Sequence, residues 1–179
     1  QQALAELRQQ RPEETVADFE LHHKTGQKVR LSELFGDQEE LLLIHNMGKA
    51  CVYCTMWADS FRGISEQIND RMAFALVSPD APEVLREFAD SRQWNFNCLS
   101  AHGTDFIKDM GYAVDKDGKT FYHPGVSALV KKQDGTLVRV AKDYFGPGDP
   151  YCAPWHFFSL FPKGDNGWAP KYSYETAKR

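Results

Sequence analysis

The stretch Leu41-Leu42-Leu43-Ile44-His45, followed after Asn46-Met47-Gly48-Lys49-Ala50 by Cys51-Val52-Tyr53-Cys54-Thr55-Met56-Trp57-Ala58-Asp59, decides how the rest of the chain is read. Its first block is short, apolar and bounded by polar residues and Gly48, as a strand buried on both faces would be. From Cys54 to about Ile68, the residues Trp57, Phe61, Ile64 and Ile68 recur at helical spacing. The two cysteines therefore sit where a buried strand hands over to a helix. There the positive end of the helix dipole and the unpaired N–H groups of the first turn favour a thiolate. Cys51 is the expected nucleophile, and Cys54, one turn deeper, is placed to resolve a mixed disulfide by attacking it.

Outward from this block the pattern alternates. Met72 to Val77 reads as a second apolar strand, and Asp80 as the cap of a helix with Pro82 in its first turn and Val84, Leu85, Phe88 and Ala89 on one face. A short strand near Cys98 to Ser100 and a helix from about Thr104 to Met110, stopped by Gly111, continue the series. Two antiparallel strands, Val126 to Lys132 and Thr136 to Ala141, meet at Gln133-Asp134-Gly135. A last helix runs from about Ala153 to Leu160 and ends before Pro162. On the N-terminal side, Val16, Phe19 and Leu21 face Val29 and Leu31 across Thr25-Gly26-Gln27 as a hairpin, and Ser32 caps a one-turn helix that Gly36 stops. Leu4 and Leu7 suggest a short helix that Pro12 ends. The expected organisation is an N-terminal helical arm over residues 1–15 and one domain over residues 16–179, a mixed α/β sheet covered on both faces.

Bulk properties agree with one globular domain. The chain has 179 residues, 42% of them hydrophobic and 26% charged, which is outside the disordered and membrane classes. A formal charge of −4 without a lysine- or arginine-rich run gives no footprint for nucleic acid or an anionic membrane. The longest apolar run is too short to span a bilayer and lacks the flanks of a secretion signal, so the cytoplasm is the expected compartment. The chain begins at Gln1, which leaves processing of the N-terminus open. Four cysteines are too few for a disulfide scaffold, and each is read for reactivity, metal binding or burial.

A Cys-x-x-Cys beside a β-α-β pattern is a redox signal, and dithiol chemistry on it needs no bound organic cofactor. Metal is the rival chemistry. Cys152 and His156 are four apart on the last helix, so Cys51, Cys54, Cys152 and His156 could form a Cys₃His zinc set. Cys98, in a strand, reads as core, and so do Trp155, Phe157 and Phe158, since a helix packed on a sheet needs such side chains.

Leu31-Ser32-Glu33-Leu34-Phe35-Gly36, the strand ending Ile44-His45, the block from Cys51 to Asp59, Val77-Ser78, Pro124-Gly125-Val126-Ser127 and Phe161-Pro162-Lys163-Gly164 together resemble one family. It is the bacterial thioredoxin-like domain-of-unknown-function family numbered eight hundred ninety-nine. The similarity covers nearly all of the chain beyond about Leu21, and the Cys-to-Trp-Ala-Asp block is its specific part. The resemblance implies a thioredoxin-like three-layer α/β/α fold with a mixed β-sheet, related to the alkyl hydroperoxide reductase and thioredoxin group. Members are often labelled dithiol–disulfide isomerases. In thioredoxins the position of His45 holds a buried acidic residue that helps deprotonate the second cysteine, so His45 is the candidate to move a proton.

Tyr53, Trp57, Val126 and Ser127 are the expected substrate-binding residues. Val126 stands where thioredoxins carry a cis-proline, with Pro124 two residues earlier. Peroxiredoxins carry a proline and a threonine before the peroxide-attacking cysteine; the matching positions are Met47 and Cys51 ahead of Cys54, and Ile44 and Gly48 ahead of Cys51. The leading expectation is a thiol–disulfide oxidoreductase with a protein or small-molecule thiol or disulfide substrate and an electron donor. Alternatives are a zinc-stabilised or non-catalytic binding module and a peroxidase. Direction of electron flow and oligomeric state, a homodimer among the options, are left open.

Overall fold

The computed structural model describes residues 6–7 and 12–174. The chain runs β1 (Glu14–Val16), β2 (Glu20–His23), β3 (Lys28–Arg30), a 3₁₀ helix (Leu31–Phe35), β4 (Glu40–His45) and α1 (Val52–Phe61). It continues α2 (Ser65–Arg71), β5 (Ala73–Ser78), α3 (Pro82–Ser91), β6 (Asn97–Ser100), α4 (Phe106–Asp109), β7 (Ala113–Lys116) and β8 (Lys119–Tyr122). The last elements are β9 (Gly125–Lys131), β10 (Leu137–Tyr144) and α5 (Ala153–Phe158).

Among the described residues eight strands form one mixed sheet in the order β1-β10-β9-β4-β5-β6-β2-β3. β4, β5 and β6 are parallel neighbours at its centre, and β9 joins β4 antiparallel. Period-two alternation along these strands sorts their side chains onto two cores. Leu41, Leu43, Ala75, Val77, Leu99 and Leu129 face the 3₁₀ helix and α4, where Leu31, Phe35, Phe106 and Ile107 close one cluster. Ile44, Phe74, Leu76, Cys98 and Val126 face the other way, against Trp57, Ala58 and Phe61 of α1, Leu85 and Ala89 of α3, and Trp155 of α5. This is the mixed three-layer α/β fold anticipated from the sequence. No helix among the described residues is long and apolar enough to cross a membrane.

Several elements differ from the sequence reading. The long helix after the cysteines breaks into α1 and α2 around Gly63, where Ile64 leaves helical geometry (φ −129°, ψ 0°) and lies exposed; glycine inside a helix costs about 1 kcal/mol. Ser32 lies inside the 3₁₀ helix rather than capping it. Its N–H and hydroxyl both reach the carboxylate of Asp18, at 2.8 and 2.9 Å. Asp80 does not cap α3, whose cap residue is Ala81. α4 is shorter than expected. The β7–β8 hairpin is absent from the sequence reading, although Asp117 and Gly118 turn it with positive φ (52° and 71°).

The predicted helix at Leu4 to Leu7 falls largely outside the described residues. The proposed arm boundary falls within β1, which pairs with β10 in the main sheet. At Gly125 a Cβ would collide with the Asp143 carbonyl oxygen and come within 2.6 Å of the Tyr112 ring, so β9 passes here only as bare backbone.

Candidate active site

Cys51 is the N-cap residue of α1, with extended backbone (φ −92°, ψ 103°). Its sulfur accepts the Cys54 N–H at 3.1 Å, so the side chain does what a capping Ser or Asp does, satisfying an orphan amide of the first turn. Cys51 is half-buried and Cys54 is buried at 2% exposure. Both are free thiols, as are Cys98 and Cys152. The hydrogen bond from the Cys54 side chain, with the N–H groups of Cys54 and Tyr53, outweighs partial burial and brings the Cys51 thiol down to about 7. Hydrogen bonding to Cys51, burial and the charge on Cys51 push the Cys54 thiol up. The pair is therefore split into an accessible sulfur that ionises near neutrality and a sheltered one that keeps its proton.

The turn between β4 and α1 is tied down residue by residue. Asn46, 6% exposed, accepts the Gly48 N–H at 2.7 Å and donates to the Cys54 carbonyl at 3.4 Å. The Gly48 carbonyl accepts the Cys51 N–H at 3.1 Å. Lys49 donates its N–H to the Asp80 carboxylate at 2.7 Å, and the Tyr172 hydroxyl donates to the Lys49 carbonyl at 3.0 Å. Thr55 closes the first turn, its hydroxyl donating to the Cys51 carbonyl at 3.0 Å.

His45 has different neighbours from those that proton transfer with Cys54 requires. One residue beyond Ile44 on β4, it points to the opposite face of the sheet from α1. There its ring stacks on Tyr112 (centroids 3.7 Å apart) and its Nε2 meets the Ser127 hydroxyl at 3.0 Å. Burial, then the charge of Arg139, holds its pKa well below the usual histidine value, so the ring is neutral. Tyr112 gives its hydroxyl proton to the Val126 carbonyl at 2.6 Å, and Ser127 gives its own to Tyr112 at 3.3 Å. His45 must then donate from Nε2, leaving Nδ1 as a buried acceptor without a partner among the described residues.

Of the expected substrate residues, Ser127 (0% exposed) is committed to His45 and Tyr112, and Trp57 and Val126 lie in the α1-side core. Tyr53 stays half-buried, its ring near Trp57 and stacked on Trp155. The alternative metal set is not assembled. Cys152 is enclosed in the core, and His156 Nε2 pairs with the Asp149 carbonyl at 3.0 Å. Among the described residues no cluster of three or more His, Cys, Asp or Glu is placed to hold a metal ion.

Residues that the sequence reading missed support the site from a distance. Asp59 accepts from Arg92 and from the Trp94 indole N–H, joining α1 to α3. Arg92 also donates to the Tyr172 carbonyl at 2.6 Å. The Asp59 position lay within the cysteine block, but its partners are 33 and 35 residues away, and no local pattern announces them.

Known structures place the fold. The chain is similar to peroxidoxin BcpB from Mycobacterium tuberculosis, with 25% identity, a TM-score of 0.62, and 78% of this chain and 88% of that one covered. A mutant of PrxQ from Xylella fastidiosa matches with 14% identity and a TM-score of 0.64 over 75% of this chain and 87% of its own. Reduced Prx3 from Vibrio vulnificus, in complex with hydrogen peroxide, matches with 15% identity and a TM-score of 0.58 over 76% and 88%. These are thioredoxin-like peroxiredoxin folds, and this chain shares their architecture. No curated protein matches it. The model of the family of bacterial proteins of unknown function DUF899 matches residues 1–176, and the chain belongs to that family.

Proposed function

We propose that the chain is a thiol–disulfide oxidoreductase in which Cys51 attacks and Cys54 resolves. The observation that carries this reading is the Cys54 N–H on the Cys51 sulfur at the head of α1, with one sulfur half-exposed and the other buried. The Cys51 thiolate attacks one sulfur of a substrate disulfide, and the other leaves as a thiolate that takes a proton from solvent. Cys54, deprotonated as the mixed disulfide forms, then attacks Cys51 and releases the second substrate thiol. The substrate disulfide gains two electrons and two protons, and the protein is left with a Cys51–Cys54 bond that an electron donor must reduce. The chemistry rests on the two sulfurs, and His45 belongs to the framework behind β4.

The test is equilibration of the protein with glutathione buffers, followed by peptide mapping. The expected result is a Cys51–Cys54 bond with one defined two-electron midpoint. Absence of any such couple would remove the function. A second reading, peroxide reduction, is favoured by the peroxiredoxin folds of the structural neighbours. It predicts peroxide-dependent sulfenic acid at one cysteine, whereas the dithiol reading predicts none accumulating while the partner thiol is present.

A further inference from the structure

Cys51 has to be held in its capping position. Residue 51 is neither Ser, Thr, Asp nor Asn, and while protonated its sulfur is a weak acceptor, so the cap of the thiol form is not self-maintaining. The backbone around it supplies the constraint. One peptide unit, the carbonyl of Gly48 with the N–H of Lys49, faces two ways. Its carbonyl takes the Cys51 N–H at 3.1 Å, and its N–H goes to Asp80 Oδ2 at 2.7 Å. Gly48 (φ 98°) allows this turn, and a Cβ there would stand 3.0 Å from Asp80 Oδ1, so the carboxylate lies flush against the backbone.

Asp80 is itself fixed. Ser78, at the end of β5, donates its hydroxyl to Asp80 Oδ2 at 3.0 Å, and Ser100, at the end of β6, donates to the Asp80 carbonyl at 2.6 Å. Both serines are buried. The carboxylate is thus mounted on the ends of two central parallel strands. On the other side, Tyr172 holds the Lys49 carbonyl from a segment that Arg92 and the Phe88 ring hold against α3.

We infer that Asp80 is a positioning residue for Cys51, orienting the Gly48–Lys49 peptide whose carbonyl fixes the Cys51 backbone, with Tyr172 bracing the same turn from the opposite side. Neither residue is expected to touch the substrate. Without Asp80 the peptide plane is free to rotate, the Cys51 N–H loses its acceptor, and the sulfur leaves the Cys54 N–H. The inference rests on Cys51 being the attacking thiol.

The experiment is iodoacetamide labelling of the reduced full chain across about pH 5 to 9, mapped by peptide mass, for the wild type, Asp80→Ala, Asp80→Asn and Tyr172→Phe. In the wild type Cys51 is labelled first; if another cysteine is, the oxidoreductase reading itself fails. Asp80→Ala should raise the pH at half-maximal labelling by about one unit, a roughly tenfold loss of Cys51 labelling on the acid side. Asp80→Asn keeps an oxygen for the Lys49 N–H and should recover most of that loss. Tyr172→Phe should shift the profile in the same sense by about twofold in rate. A folded Asp80→Ala protein with the wild-type profile overturns the inference, and so does full loss in Asp80→Asn. Should Asp80→Ala fail to fold, Tyr172→Phe decides, an unchanged profile counting against it.

Discussion

Among the described residues two helices begin at a cysteine, and the two thiols are opposites. Cys51 caps α1 and Cys152 caps α5, both with extended backbone. At α1 the sulfur receives the Cys54 N–H and the thiol falls to about 7. At α5 the sulfur makes no capping hydrogen bond among the described residues, and Pro154 removes one donor from the first turn. Burial there, then the charge of Asp149, pushes the thiol up to about 11. The helix N-terminus is common to both, so the difference lies in a directed hydrogen bond and in access to water. A cap position alone does not make a reactive thiol.

The comparison breaks most sharply in labelling rates. At neutral pH Cys51 should react with iodoacetamide on the order of a thousandfold faster than Cys152, because the thiolate fraction and the access differ together. Cys51→Ser should remove the fast-reacting thiol, and Cys152→Ser should leave it in place. A fast phase surviving in Cys51→Ser would undo the contrast. Stability should divide the other way. Cys152→Ala deletes a fully enclosed side chain and should cost about 1 kcal/mol in urea unfolding, while Cys51→Ala should cost less.

The smallest effect is on the pH dependence of stability. Cys51 sits below its ordinary value of 9.0 in the folded state, so it contributes stability above pH 9 that is lost as pH falls through about 7. Cys152 sits above its ordinary value and contributes stability below pH 9 that is lost as pH rises through about 11. Buried Cys98, raised to about 12, acts in the same sense as Cys152. Thermal melts should therefore show a shallower rise from pH 7 to 9 in Cys51→Ser, and a shallower fall from pH 9 to 11 in Cys152→Ser. Unchanged slopes would mean that the two environments are energetically alike.

What the sequence made legible follows from the range of each contact. The central strands were readable because Leu41 to Ile44 and Met72 to Val77 are apolar runs that need no distant information. The place of Cys51 at the head of a helix was readable for the same reason. Asp80 and Ser32 were misread through a sound local rule, since each stands beside a helix start. Partners 31 and 14 residues away took their side chains instead. The role expected of His45 met a geometric obstacle. One step along β4 separates it from Ile44, and one step changes the face. The β7–β8 hairpin carried its signal in Asp117-Gly118, but Val114 and Phe121 face each other in the open, so no buried stripe drew attention to it.

The edges of the main sheet have a consequence for how copies of this chain meet. Among the described residues the outermost strands, β1 and β3, have three residues each, and both come from the N-terminal part of the chain. Their sequences, Glu14-Thr15-Val16 and Lys28-Val29-Arg30, carry charge of opposite sign at the two ends of the sheet. A strand so short and charged is a poor template for cross-chain pairing. Removing β1 would uncover residues 137–139, the part of the eight-residue β10 that it pairs with. An N-terminally trimmed chain lacking β1 should aggregate more readily than the full chain, as light scattering would show.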